Sequence, residues 1–175
     1  MNIGKRFENN WKSSIPTDVL YYRLQDPPQS FNKGSSGLRF SWKNPCDCFL
    51  WSGKYRTFYT LELKTSGTKS FSFEREKGSN KTANIHYHQI EALTQFSQFE
   101  GVVSGFVFNF RLDDCECTYF QNIIDFNRMI SNINKKSFNL SDLQNYNPVP
   151  IEQTKKKVNY GYNIESFLEK TSIPL

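Results

Sequence analysis

Residues 44–65 read NPCDCFLWSGKYRTFYTLELKT, and two runs in that stretch, 46–51 and 56–64, are rich in β-forming residues. Ser52-Gly53-Lys54-Tyr55 separates them, so the stretch predicts an antiparallel hairpin. Strand alternation then puts Glu62 and Lys64 on one face, with Asp47 at the start of the neighbouring strand. Two carboxylates that converge beside an ammonium are what a hard divalent cation and a phosphodiester substrate require.

Working outward, Ile3, Phe7 and Trp11 recur at helical spacing and predict a first helix that Pro16 ends, with Glu8 beside its apolar stripe. Residues 17–43 contain Pro27-Pro28 and Gly34-Ser35-Ser36-Gly37 and read as a loop or a stalk-like insertion. Residues 66–83 are polar and charged, a surface connection with one short edge piece at 70–73. Asn84 is the expected cap of a second helix, to which Ile85, Ile90, Leu93 and Phe96 give apolar contacts. The apolar run 101–110 reads as a buried strand, 115–120 as its hairpin partner and 122–133 as a third helix. Residues 135–175 read as a C-terminal extension with a short helix at 164–170. This order predicts one α/β domain over residues 1–175, a mixed central sheet flanked by helices.

The chain has 175 residues, 22 Lys and Arg against 17 Asp and Glu, and a formal charge of +5. The excess favours polyanionic partners, because side chains that neutralise phosphates release condensed counterions. Aromatic residues make up 16 % and supply bulky core material despite a mean hydropathy of −0.64. No window approaches the roughly 18 apolar residues of a membrane span, and residues 1–14 lack an apolar signal core, so no membrane and a cytoplasmic location are expected. The cysteines fall as Cys46/Cys48 and Cys115/Cys117. This is not the usual zinc spacing, and alternation predicts that both members of each pair share a face as reduced thiols lining a sheet.

In phosphodiester hydrolysis, charge builds on the phosphoryl and leaving oxygens. A carboxylate-held Mg²⁺ or Mn²⁺ neutralises it and lowers the pKa of water. Asp47 and Glu62 suit the metal, the carbonyl of Leu63 offers a further hard oxygen, and Lys64 suits stabilisation of the developing charge. A second constellation, His86-Tyr87-His88-Gln89-Ile90, begins the second helix. It reads either as an ordinary capped helix start or as a set of amides and a glutamine that meet phosphate or a metal-bound water.

Together these pieces resemble the RecU-type Holliday-junction resolvases of the PD-(D/E)xK nuclease superfamily. The matching motifs are G-K-R-F-E at 4–8, P-C-D at 45–47, E-L-K at 62–64, H-Q-I-E at 88–91 and G-F-V-F-N-F at 105–110, in family order. The resemblance implies a restriction-endonuclease-like core with Asp47, Glu62 and Gln89 around Mg²⁺, Lys64 as transition-state stabiliser and Glu8 in support. Pro45 stands where the family has a threonine and offers only its carbonyl. The connection from Lys64 to His88 is longer than the family's, and the stalk-like segment is shorter, as in a trimmed, phage-type variant.

The expected activity is therefore a Mg²⁺-dependent endonuclease, with Mn²⁺ able to substitute, that resolves four-way branched DNA as a homodimer. Expected backbone contacts are Lys5, Arg6, Arg23, Lys33, Arg39, Lys69 and His88. The alternatives are a nuclease of the same fold acting on duplex, flaps or single strands, and a DNA-binding protein of that fold that does not cut.

Overall fold

The computed structural model describes residues 2–25, 44–112 and 115–173. In chain order its elements are α1 (Ile3–Lys12), β1 (Val19–Arg23), β2 (Cys48–Ser52), β3 (Thr57–Ser66), β4 (Ser70–Ser72), α2 (Tyr87–Phe96), β5 (Val102–Arg111) and β6 (Glu116–Asn122). Then follow α3 (Ile123–Asn132), β7 (Ser137–Asn139), α4 (Leu140–Gln144), β8 (Val149–Ile151), β9 (Gln153–Lys156), β10 (Asn159–Tyr162) and α5 (Ile164–Thr171). Among the described residues six strands form the central sheet, in the order β1-β2-β3-β5-β6-β8. Only β3 and β5 run parallel, as a helical crossover through α2 demands; the other neighbours are antiparallel. This is the expected mixed sheet flanked by helices.

Alternation along β3 and β5 divides the core in two. Tyr59, Leu61, Leu63, Val103 and Val107 pack with Phe7 and Trp11 of α1 and Phe167 and Leu168 of α5. Phe106, Phe108 and Phe110 face the other way, toward Ile90 and Leu93 of α2, Phe126 and Met129 of α3, and Phe71 and Phe138 of the small β4–β7 sheet. Gly105 permits the close approach of β5 to β6. A Cβ there would stand 2.2 Å from the carbonyl oxygen of Gln121.

Four expectations change. Residues 19–23 are an edge strand of the central sheet, paired with β2 over Val19↔Ser52 to Arg23↔Cys48, and not part of a loop. The remainder of that predicted insertion, 26–43, lies outside the described residues. The segment 135–175 is not an appendage: β8 extends the sheet, and α5 closes the core over Tyr59, whose hydroxyl donates to the carbonyl of Leu168 at 3.2 Å. Asn84 does not cap α2. Its Oδ1 accepts from the Ser72 amide and hydroxyl, both at 2.9 Å, while His86 is the cap residue and Ile85 bridges to Phe73. Finally, Cys46 and Cys48 face opposite halves of the core, because the chain bends at 45–47 before β2 begins; the Cys46 thiol donates to the Cys48 carbonyl at 3.6 Å.

Candidate functional site

Asp47 sits at the bend that starts β2. Its own amide donates to the Leu61 carbonyl at 3.1 Å, and its Oδ2 accepts from the Leu63 amide at 2.7 Å. The carboxylate is thereby fixed beside the middle of β3. In an extended strand a residue's N–H and C=O leave on the same edge, so the Leu63 carbonyl lies on the edge where Asp47 sits.

Glu62 points to the α2 side and is buried, with its Oε1 at 3.0 Å from Lys64 Nζ. Burial raises its pKa, Lys64 opposes that rise, and the neighbouring Asp47 and Glu8 charges add to it; the balance lies at about 7. A carboxylate in that state gains from any cation placed between it and Asp47.

Gln89 completes the contact from α2. Its Nε2 donates to Glu62 Oε1, and its Oε1 accepts from the His86 amide at 2.9 Å. The glutamine therefore orients Glu62 with its donor end, while its oxygen closes the helix start. The other half of that closure is Glu74, whose Oε2 accepts from the Tyr87 amide at 2.8 Å and lies 3.5 Å from His86 Nδ1. An acid thus occupies the helix start that the sequence offered to phosphate. Glu74 had no recognisable signal, since it stands in the charged run FEREKGSN, yet it is buried and holds the turn that aims Gln89.

The remaining expected residues are more dispersed. Glu8, on α1, forms an ion pair with Arg23 of β1, so Arg23 is committed to a carboxylate instead of standing as an isolated cation. Both line a shallow groove of about 550 Å³ together with Lys5 and Lys12. Arg6 is half-buried, Lys69 is exposed in the β3–β4 connection, and the half-buried His88 stacks on His86 with ring centroids 5.7 Å apart. Lys33 and Arg39 lie outside the described residues. Tyr21, which the sequence reading did not select, lies among Cys48, Arg23, Glu8 and Asp47, and burial pushes its hydroxyl pKa up. Among the described residues no three His, Cys, Asp or Glu side chains group as a metal cluster; the candidate centre is two carboxylates and a backbone oxygen.

The chain is 30 % identical over 174 residues to the SPbeta prophage-derived uncharacterized protein YotM of Bacillus subtilis (strain 168), across 92 % of this chain and 82 % of that protein. It belongs to the family of that prophage protein. Among solved structures, similarity extends to Archaeoglobus fulgidus Hjc, a Holliday junction resolvase from an archaeal hyperthermophile, at 16 % identity and a TM-score of 0.45, across 84 % of this chain and 95 % of that one. No protein-family model matches the chain. The described helices of this family member include none long and apolar enough to cross a membrane.

Proposed function

We propose that the protein is a Mg²⁺-dependent endonuclease that cuts branched DNA, with the four-way junction as its substrate. The observation that carries this reading is the convergence on β3 of the buried Glu62 carboxylate, 3.0 Å from Lys64 Nζ, with the Asp47 carboxylate, held by the Leu63 amide at 2.7 Å. The donor set fits a hard divalent ion: two carboxylates and the Leu63 carbonyl are all oxygens, and a cation would counter both the burial and the like charge that raise Glu62. Of the expected ligands Asp47, Glu62 and Leu63 would hold Mg²⁺, or Mn²⁺ in its place, whereas Gln89, whose oxygen accepts from the His86 amide, would steady Glu62 instead of meeting the metal. Once bound, the ion would neutralise phosphoryl charge and lower the pKa of water.

The chain's own groups do the positioning. Gln89 fixes one oxygen of Glu62, and the Leu63 amide fixes one oxygen of Asp47. Lys64 keeps an ammonium on the face where negative charge builds during in-line attack. Glu8 adds negative potential from α1 and restrains Arg23. A prophage relative agrees with a phage-type enzyme, and a homodimer would present two such sites to symmetric strands.

Asp47→Asn should abolish cleavage of a synthetic four-way junction while leaving binding nearly intact. Full activity in that variant would sink the assignment. Junction, flap and linear duplex assayed side by side test the substrate, and equal rates on all three would favour a general DNA nuclease.

A further inference from the structure

The β9–β10 hairpin has no part in the site described above. Its strands pair from Asn159↔Lys156 to Tyr162↔Gln153, and its outer half carries Lys155, Lys156 and Lys157 with no acid anywhere in 153–162. All three lysines are exposed, Val158 at the tip is 74 % exposed, and Lys157 takes the left-handed conformation at φ 49°. Lys156 lies across Gly161, where a Cβ would meet its Cε at 3.2 Å. The acid that precedes the hairpin, Glu152, is already engaged by Lys170 at 3.0 Å and by the Asn163 side-chain amide at 3.0 Å.

A run of lysines on a loose loop would be an ordinary solvated surface, but this one is rigidly mounted. Tyr162 packs edge-on against Phe7 with centroids 5.7 Å apart, and its amide donates to Ser14 Oγ at 3.0 Å. At the base, the Gln153 Nε2 donates to the Glu116 carbonyl at 2.6 Å, and its Oε1 accepts from Thr118 Oγ1 at 2.6 Å. The row continues across the sheet: Asn109 Nδ2 donates to Thr118 Oγ1 at 2.9 Å, and Thr65 Oγ1 donates to Asn109 Oδ1 at 2.8 Å. Thr65 directly follows Lys64 but lies on the opposite face of the sheet, with Leu61 and Leu63. Three side-chain hydrogen bonds therefore tie the root of the hairpin to β3 along the face that α1 and α5 cover.

We infer that the β9–β10 hairpin is a phosphate-contacting wing that grips the backbone of a duplex DNA arm outside the candidate cleavage centre. It rests on the nuclease reading for its partner. Such contacts set the register of the duplex and carry no sequence preference.

The test measures binding of the whole chain to a short linear duplex and to a four-way junction, without divalent metal and over a range of salt. The variants are a triple Lys→Gln change at 155, 156 and 157 and the matching triple Lys→Arg change, each checked for an unaltered melting temperature. Each lost phosphate contact lowers the slope of log affinity against log salt by about 0.9, so the Gln variant should lose about 2 to 3 in slope and at least tenfold in affinity at low salt, on both DNAs. The Arg variant should keep the slope. An unchanged slope in the Gln variant overturns the wing and leaves the nuclease reading intact, provided the wild type still cuts with Mg²⁺. Equal loss of affinity for heparin and for duplex would make the hairpin a general polyanion contact and would also overturn it. A wild type that binds no DNA overturns both.

Discussion

Glu62 and Glu74 are buried to nearly the same degree, at 4 % and 5 % exposure, yet their carboxyls are pushed in opposite directions. Glu74 is held below the usual carboxylate range, first by the Tyr87 amide and then by His86. Glu62 is raised to about 7 by burial, with Asp47 and Glu8 adding to the rise and Lys64 only partly offsetting it. Both serve α2, one by sealing its first turn and one by receiving Gln89 from it. What meets each carboxylate differs: the Tyr87 amide and His86 satisfy Glu74, whereas Glu62 carries its burial with Asp47 and Glu8 nearby and only Lys64 to offset it.

Removing the two acids separately should give the widest contrast. Glu62→Gln should lower junction cleavage by about 10³-fold or more, the scale of losing a metal-held transition-state contact. Glu74→Gln should stay within about tenfold, because it acts only through the aim of Gln89. A cleavage assay at saturating Mg²⁺ compares them, and equal losses would erase the distinction.

Stability against pH separates them next. For Glu62 the folded value exceeds the unfolded value, so its contribution is fully present below the unfolded pKa near 4.5 and is lost as pH rises through about 7. The difference amounts to about 3 kcal/mol. Glu62→Gln should therefore melt higher than the wild type at pH 8 and no higher at pH 4. Glu74 runs the other way: its contribution is present above the unfolded pKa and lost as pH falls through its depressed folded value. Glu74→Gln should melt lower than the wild type at pH 7 and converge with it in acid. Melting curves over pH 4–8 check both signs.

Metal linkage offers a smaller effect. At a hundredfold excess over its dissociation constant, Mg²⁺ should stabilise the wild type by about 2.7 kcal/mol. The shift should grow from pH 5 to pH 8 as Glu62 ionises, persist in Glu74→Gln and vanish in Glu62→Gln. The smallest effect should come from the exposed Lys54–Glu165 pair at 3.1 Å, whose removal should change stability by less than about 1 kcal/mol and leave cleavage untouched.

Only the Glu62 half of this contrast is legible in the sequence. Asp47, Glu62 and Lys64 declare themselves through residue type and strand spacing, and Gln89 through its place at a helix start. The hairpin that carries them follows from alternation, and β5 from its unbroken apolar run. What stayed hidden depends on partners remote in sequence. β1 looked like loop because its pairing strand lies 25 residues on, from Arg23 to Cys48. Glu74 looked like solvated charge because nothing local says that the amide of Tyr87 will cover it. The orientation of Gln89 depends on the His86 amide taking its oxygen, which only the folded turn determines. The last helix follows from its own sequence, expected at 164–170 and found at Ile164–Thr171, but β8 is only three residues long and gave little signal, and the packing of both is settled by Phe120, Tyr59 and Trp11 far upstream.

The most direct test is single-turnover cleavage of a labelled four-way junction across a Mg²⁺ titration, by the wild type, Asp47→Asn, Glu62→Gln and Glu74→Gln. The wild type and Glu74→Gln should cut in proportion to Mg²⁺ occupancy, while Asp47→Asn and Glu62→Gln bind the junction and leave it whole. Cleavage by the wild type in excess chelator, or wild-type rates from either Asp47→Asn or Glu62→Gln, would contradict the assignment of these two carboxylates as the metal centre.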